Sequence, residues 1–147
     1  MKEPLDVENL TEEEFIRFAR EFAESSPFYK TLNIKVLEMK DGTAKLRIED
    51  IDHLRTPSVY LHGGAIASLA DSAMAMAILS HDKRPRSFST IELKVSYLAP
   101  VFDGPITAEA RIVKSGKRVI FGESEVFDKD DRLIAQALLT FMYTDVE

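Results

Sequence analysis

The sequence predicts an α+β domain in which a curved antiparallel sheet wraps around one long central helix. Three observations lead there. The stretch Val59 to Ser80, VYLHGGAIASLADSAMAMAILS, holds a long run that is small or apolar on every side of a helix, and a helix apolar all round must be buried all round. After it come four strand-like segments joined by short polar turns, and short turns make successive strands antiparallel neighbours. Before it, Asp41-Gly42 divides two alternating apolar runs, the pattern of a hairpin with a tight turn.

From the N-terminus, Thr11-Glu12-Glu13-Glu14 fits a capping box, with Thr11 as N-cap and Glu14 at the third helical position. Phe15, Phe18, Ala19 and Phe22 follow at helical spacing. They predict an amphipathic helix from Thr11 to about Ser25 whose phenylalanines pack on a neighbouring sheet. Pro27 ends it. Residues 1–26 are thus a helical extension of a single domain spanning 1–147. Ile34, Val36, Ala44, Leu46 and Ile48 supply the alternation of the hairpin, and Ile51 to Tyr60 reads as irregular. The central helix starts at His62 or Gly63, and His81 to Arg86 reads as a polar loop. The strands are Phe88 to Leu98, Ile106 to Lys114, Val119 to Phe127 and Leu133 to Tyr143. The segments between them are rich in Gly, Pro, Asp and Ser, which is turn chemistry.

Composition narrows the function. At 147 residues, with 45% hydrophobic and 30% charged side chains, the chain can build one real core. A net charge of -6 disfavours nucleic acid as a partner. There is no cysteine, which removes disulfides, thiol catalysis and thiolate-held metals. His53, His62 and His81 do not fall at metal-ligand spacing, and no cofactor motif is present. The acidic start MKEPLDVENLTEEEF lacks the apolar region of a signal peptide. The longest apolar run is shorter than the roughly 20 residues a bilayer needs and contains an acid. The expectation is a soluble, cytoplasmic protein with no membrane partner.

That acid, Asp71, is the residue the pattern does not explain. It lies about two turns inside the helix, so it is no N-cap. Aspartate is a poor interior residue of a helix, and burying it ionised and unpaired is costly. It can be a hydrogen-bonded core group or a functional one. His62-Gly63-Gly64 at the helix entrance favours function. Glycines allow close approach to backbone N–H groups, and a helix N-terminus offers free donors to a developing oxyanion.

Pro27-Phe28-Tyr29, Asp41-Gly42, His62-Gly63-Gly64 with Ala70-Asp71-Ser72-Ala73, Tyr97-Leu98-Ala99-Pro100, Lys114-Ser115-Gly116-Lys117-Arg118 and Leu133-Ile134-Ala135-Gln136-Ala137 occur in order. Together they resemble the hot-dog thioesterases of the phenylacetyl-coenzyme A thioesterase (PaaI-like) type, from about Pro27 to Tyr143. The resemblance implies hydrolysis of an acyl-coenzyme A (acyl-CoA) thioester. It puts Asp71 on the catalytic carboxylate, as general base or nucleophile, and Gly63 on the backbone N–H that polarises the thioester carbonyl. A hydroxyl that places water falls on Thr90 or Ser89. Lys114 to Val119 (Lys114, Ser115, Gly116, Lys117, Arg118, Val119) falls on the turn that meets the coenzyme A nucleotide. Gly64 belongs to the substrate-binding set. Where the family often has Asn or Gln, this chain has Thr56, a departure that bears on the carbonyl contact. His62 reads as a hydrogen-bonding residue at the helix entrance rather than the base.

Gly63 and Asp71 are eight residues apart, roughly 12 Å along a helix. They cannot grip one thioester from the same helix, so a site built from both needs two chains. A homodimer or homotetramer is expected. Lys83, Arg84 and Arg86 form a second basic group. Two other readings are a non-catalytic acyl-CoA sensor and a hydroxyacyl-CoA dehydratase of the same fold.

Overall fold

The computed structural model describes residues 7–82 and 87–145. Its elements are α1 (Glu12–Ser25), α2 (Pro27–Leu32), β1 (Ile34–Lys40), β2 (Thr43–Ile48), α3 (Gly63–Asp82), β3 (Phe88–Tyr97), β4 (Ile106–Ser115), β5 (Val119–Phe127) and β6 (Leu133–Tyr143). The strands form one antiparallel sheet in the order β1-β2-β4-β5-β6-β3. Helix α3 packs on all six strands, which is the hot-dog arrangement.

The start of α1 follows the local chemistry. Thr11 Oγ1 accepts from Glu14 N at 3.3 Å, and Glu14 Oε2 accepts from Thr11 N at 2.9 Å. The end differs from expectation. Ser26 closes α1, but it also caps α2 by accepting from Tyr29 N at 3.3 Å. Pro27 stands at the first position of that helix, where its missing N–H costs nothing. The proline therefore starts a second helix as well as ending the first. Asn33 stops α2 in the left-handed region at φ 54°, a conformation asparagine tolerates.

Leu69, Ala70, Ala73, Met74 and Ala77 of α3 have no exposed surface. Opposite them Gly122 on β5 makes room: a Cβ there would collide with Met74 Sδ and stand 2.9 Å from the Arg111 carbonyl oxygen. The helix is not buried all round, however. Gly64 is exposed, and Ser68, Asp71, Ala75 and Leu79 are half-buried. They recur every three or four residues and so make one stripe. That stripe lines clefts, although its apolar members Ala75 and Leu79 also pack against the core. The Gly63–His81 segment is long and apolar enough to cross a membrane by length and composition; here the sheet covers most of it. The helix also runs through His81 and Asp82, where a loop was expected. Lys83, Arg84 and Arg86 lie outside the described residues.

The edge strand β3 carries a bulge. Thr90 pairs with Phe141 and Glu92 with Thr140, leaving Ile91 as the extra residue. One extra residue inverts which side chains face inward. Thr90 and Tyr97, at odd separation, therefore both reach α3: Thr90 at Asp71 and Tyr97 at Gly63.

Candidate active site

Asp71 sits on the half-buried stripe of α3, at the wall of a cleft of about 800 Å³. Helices α1 and α2 supply Phe15, Phe18, Phe22, Phe28 and Tyr29, and β3 supplies Phe88, Ser89 and Thr90. Thr90 Oγ1 donates to Asp71 Oδ1 at 2.8 Å. Burial raises the Asp71 pKa above the usual value, and the Thr90 hydrogen bond opposes this only in part. The carboxylate is thus a stronger base than one in water, held at one oxygen with the other free of any protein partner among the described residues.

At the other end of the stripe, the first backbone donors of α3 have no carbonyl within the helix to serve. His62 Nδ1 accepts from Gly64 N at 2.8 Å and His62 O from Ala65 N at 3.0 Å. An accepting Nδ1 leaves the ring proton on Nε2, so His62 serves as a helix cap. Gly63 N takes no backbone partner among the described residues. Its carbonyl accepts from the Tyr97 hydroxyl at 2.8 Å, and the ring lies so close that a Cβ on Gly63 would come within 3.2 Å of it. A smaller cleft of about 320 Å³ opens here, lined among others by Phe28, His53, Arg55, His62, Gly64 and Ser68. Phe28 lines both clefts and divides them.

The structure thus brings Asp71, Thr90 and Ser89 to one cleft and His62 and Gly64 to the other; Gly63 lines a third, of about 270 Å³, together with Tyr97. Thr56 lines none of the three. Its hydroxyl accepts from Ser58 N at 3.2 Å, and its backbone closes a turn with Val59 and Tyr60. The loop is instead held by Arg55, which pairs with Asp52 at 2.7 Å and donates to the carbonyls of Val59 and Phe102. Lys114 through Arg118 are exposed. Val119 pairs with Met142 and Met142 with Ser89, so the basic turn lies two strands from Ser89, about 10 Å by strand spacing. Met74 and Met76 are both core, and Met76 also lines the cleft.

Sequence reasoning missed two tyrosines. Tyr29 is buried beside the acid; burial first, with the Asp71 charge adding to it against a hydrogen bond with Ser72, pushes its pKa up to about 12. It remains a neutral phenol. Tyr97 sits within a motif the resemblance used, but its contact with Gly63 depends on the bulge at Ile91, which no period-two pattern announces.

A hot-dog domain with one carboxylate and a set of helix-terminal N–H groups, and no Ser-His-Asp array among the described residues, is equipped for hydrolysis at an activated acyl group. The chain belongs to the thioesterase superfamily, whose family model matches residues 60–135. The conserved protein PA5202 from Pseudomonas aeruginosa is similar in structure, with a TM-score of 0.79, 33% identity, and coverage of 85% of this chain and 98% of that one. The PaaI protein of the Escherichia coli phenylacetic acid degradation operon shares the fold at TM-score 0.78 and 23% identity over 86% and 91% of the two chains. The medium/long-chain acyl-CoA thioesterase YigI of Salmonella typhimurium is 27% identical over 90% of this chain and 96% of its own length. The family and the acyl-CoA thioesterase relative make the chain a thioester hydrolase.

Proposed function

We propose that the chain hydrolyses acyl-CoA thioesters to the free acid and coenzyme A, with Asp71 as general base or nucleophile. The observation that carries this is the Asp71–Thr90 pair on the wall of a large cleft. As base, Asp71 takes a proton from water as the water oxygen attacks the carbonyl carbon. As nucleophile, it attacks that carbon itself, and water then cleaves the resulting anhydride. Either way the C–S bond breaks and the thiolate leaves. A thiol of pKa about 8.5 needs little help from a general acid, which suits a site without one. The Gly63 N–H stabilises the carbonyl oxygen as its charge grows.

Because Gly63 and Asp71 stand about 12 Å apart along α3, each site takes Gly63 from one chain and Asp71 from another. Strand β3 supports this: it is an outer strand of the sheet, with Ile91 54%, Leu93 38% and Tyr97 52% exposed. A ten-residue edge with apolar side chains is a template for pairing with a second copy.

Thiol release measured across short, long and aromatic acyl-CoA substrates tests the reading, with Asp71→Asn expected to lose on the order of 100-fold or more. Wild-type turnover by the Asp71→Asn protein removes Asp71 from the chemistry, and tight binding without any turnover makes the protein a sensor. In a single turnover in heavy-oxygen water, label on Asp71 shows a nucleophile whose anhydride is opened by water at the Asp71 carbonyl, whereas a general base sends all label to the product acid. Sedimentation that finds a fully active monomer overturns the shared site.

A further inference from the structure

We propose that helix α1, through Phe18 and Phe22, selects long apolar acyl groups, so that the substrate class is the thioesters of long or bulky hydrocarbon acids. This rests on the acyl-CoA reading of the Asp71 cleft. Helix α1 lies outside the residues 60–135 that the family model covers. The expectation that its phenylalanines pack on the sheet holds only for part of the helix. Phe15 and Ala19 are buried, but Phe18 is half-buried and Phe22 is 69% exposed. The two rings stack at 5.7 Å between centroids. With Phe28, 54% exposed, they put three aromatic rings on the lining of the cleft.

Three features say what these rings cover. The cleft is continuous with Asp71, so whatever fills it is joined to the reacting carbonyl. Asp71 is also its single charged lining residue among those described. The Ser and Thr hydroxyls of the lining come from α3 and residues 87–90; against the rings of α1 the amide-bearing arm of coenzyme A would leave polar groups unpaired, whereas a hydrocarbon chain would not. Finally, about 800 Å³ lies in the upper part of the range that encloses a drug-sized ligand, far beyond the needs of an acetyl group. The wall is also fixed in place. Its N-terminus carries the capping box, and Glu24 near its C-terminus accepts from Val36 N of β1 at 2.8 Å.

The test is the chain-length profile of kcat/KM from acetyl- to palmitoyl-CoA. Each methylene that the cleft buries should raise it by about fourfold until the wall is passed. In Phe18→Ala with Phe22→Ala, the ratio of dodecanoyl to butanoyl turnover should fall on the order of tenfold or more. Ala23→Phe, which fills the cleft from the same helix, should lower the same ratio by obstruction. Far-UV circular dichroism and melting confirm that α1 is retained. Calorimetry with the thioethers S-dodecyl- and S-ethyl-CoA reads the same selectivity with no hydrolysis involved. If the wild type cleaves nothing but prefers the dodecyl thioether, and the double variant loses that preference, the proposed reaction fails and the selector stands. If both ratios are unchanged in both variants, α1 selects nothing.

Discussion

A half-buried carboxylate on an apolar helix costs the fold stability whenever it is ionised. The Asp71 pKa lies above its unfolded value of about 3.9, because burial outweighs the Thr90 hydrogen bond. Below both values the acid is neutral in folded and unfolded chains and costs nothing. As pH rises through the folded pKa, the folded state must give up a proton it holds more tightly, and stability is lost. Asp71→Asn should therefore raise the melting temperature at neutral pH, by about 1 kcal/mol of stability, even as it removes activity. The gain should vanish as pH falls below about 4. Denaturant titrations at both pH values check it. The same shift moves the acid limb of kcat/KM upward from the usual aspartate value, because the ionised form is the reactive one. Thr90→Val removes a hydrogen bond that favours the carboxylate, so the limb should move to higher pH. Thr90→Ser should bring it back, a recovery that general damage to the cleft would not show.

At the scale of the element, local chemistry was the most readable part of the sequence. The capping box at Thr11 and Glu14 is written in adjacent residues and formed as read. The strand limits followed because turn residues mark them. What was not legible depends on contacts between elements. Phe18 and Phe22 have the spacing of core residues, and nothing local says that the sheet does not reach them. The Ile91 bulge breaks the alternation without a glycine or proline to signal it, so Ser89 and Thr90 could not be told apart; the structure gives Thr90 to Asp71. Gly122 was equally silent. An interior strand glycine is explained by Met74, which lies forty-eight residues earlier in the chain, and by the Arg111 carbonyl oxygen on the neighbouring strand. Gly122→Ala should destabilise by about 1–3 kcal/mol through overpacking. Adding Met74→Ala should recover part of that loss, and a double-mutant cycle by chemical denaturation would measure the coupling.

Over the whole molecule, a chain of net charge -6 repels an anionic substrate unless charge is placed locally. The exposed turn Lys114 to Arg118 is such a place. Lys117→Glu with Arg118→Glu should raise KM for acyl-CoA much more than it lowers kcat. A truncated thioester without the nucleotide should show little difference between the two proteins. If steady-state kinetics finds KM unchanged, the turn is a solvated hairpin.

The strand order has a bearing on how the chain comes into being. Strand β3 ends at Tyr97, yet its one neighbour in the sheet is β6, which begins at Leu133. On the ribosome, β3 emerges well before the strand that will hold it. For that interval both of its edges are open and its apolar residues have no cover. Contacts so distant in sequence form slowly, and an unpaired apolar strand is prone to join its like on another chain. The edge proposed to join finished subunits is thus also the one through which unfinished chains can aggregate. Refolding yield, followed by light scattering, should fall as protein concentration rises.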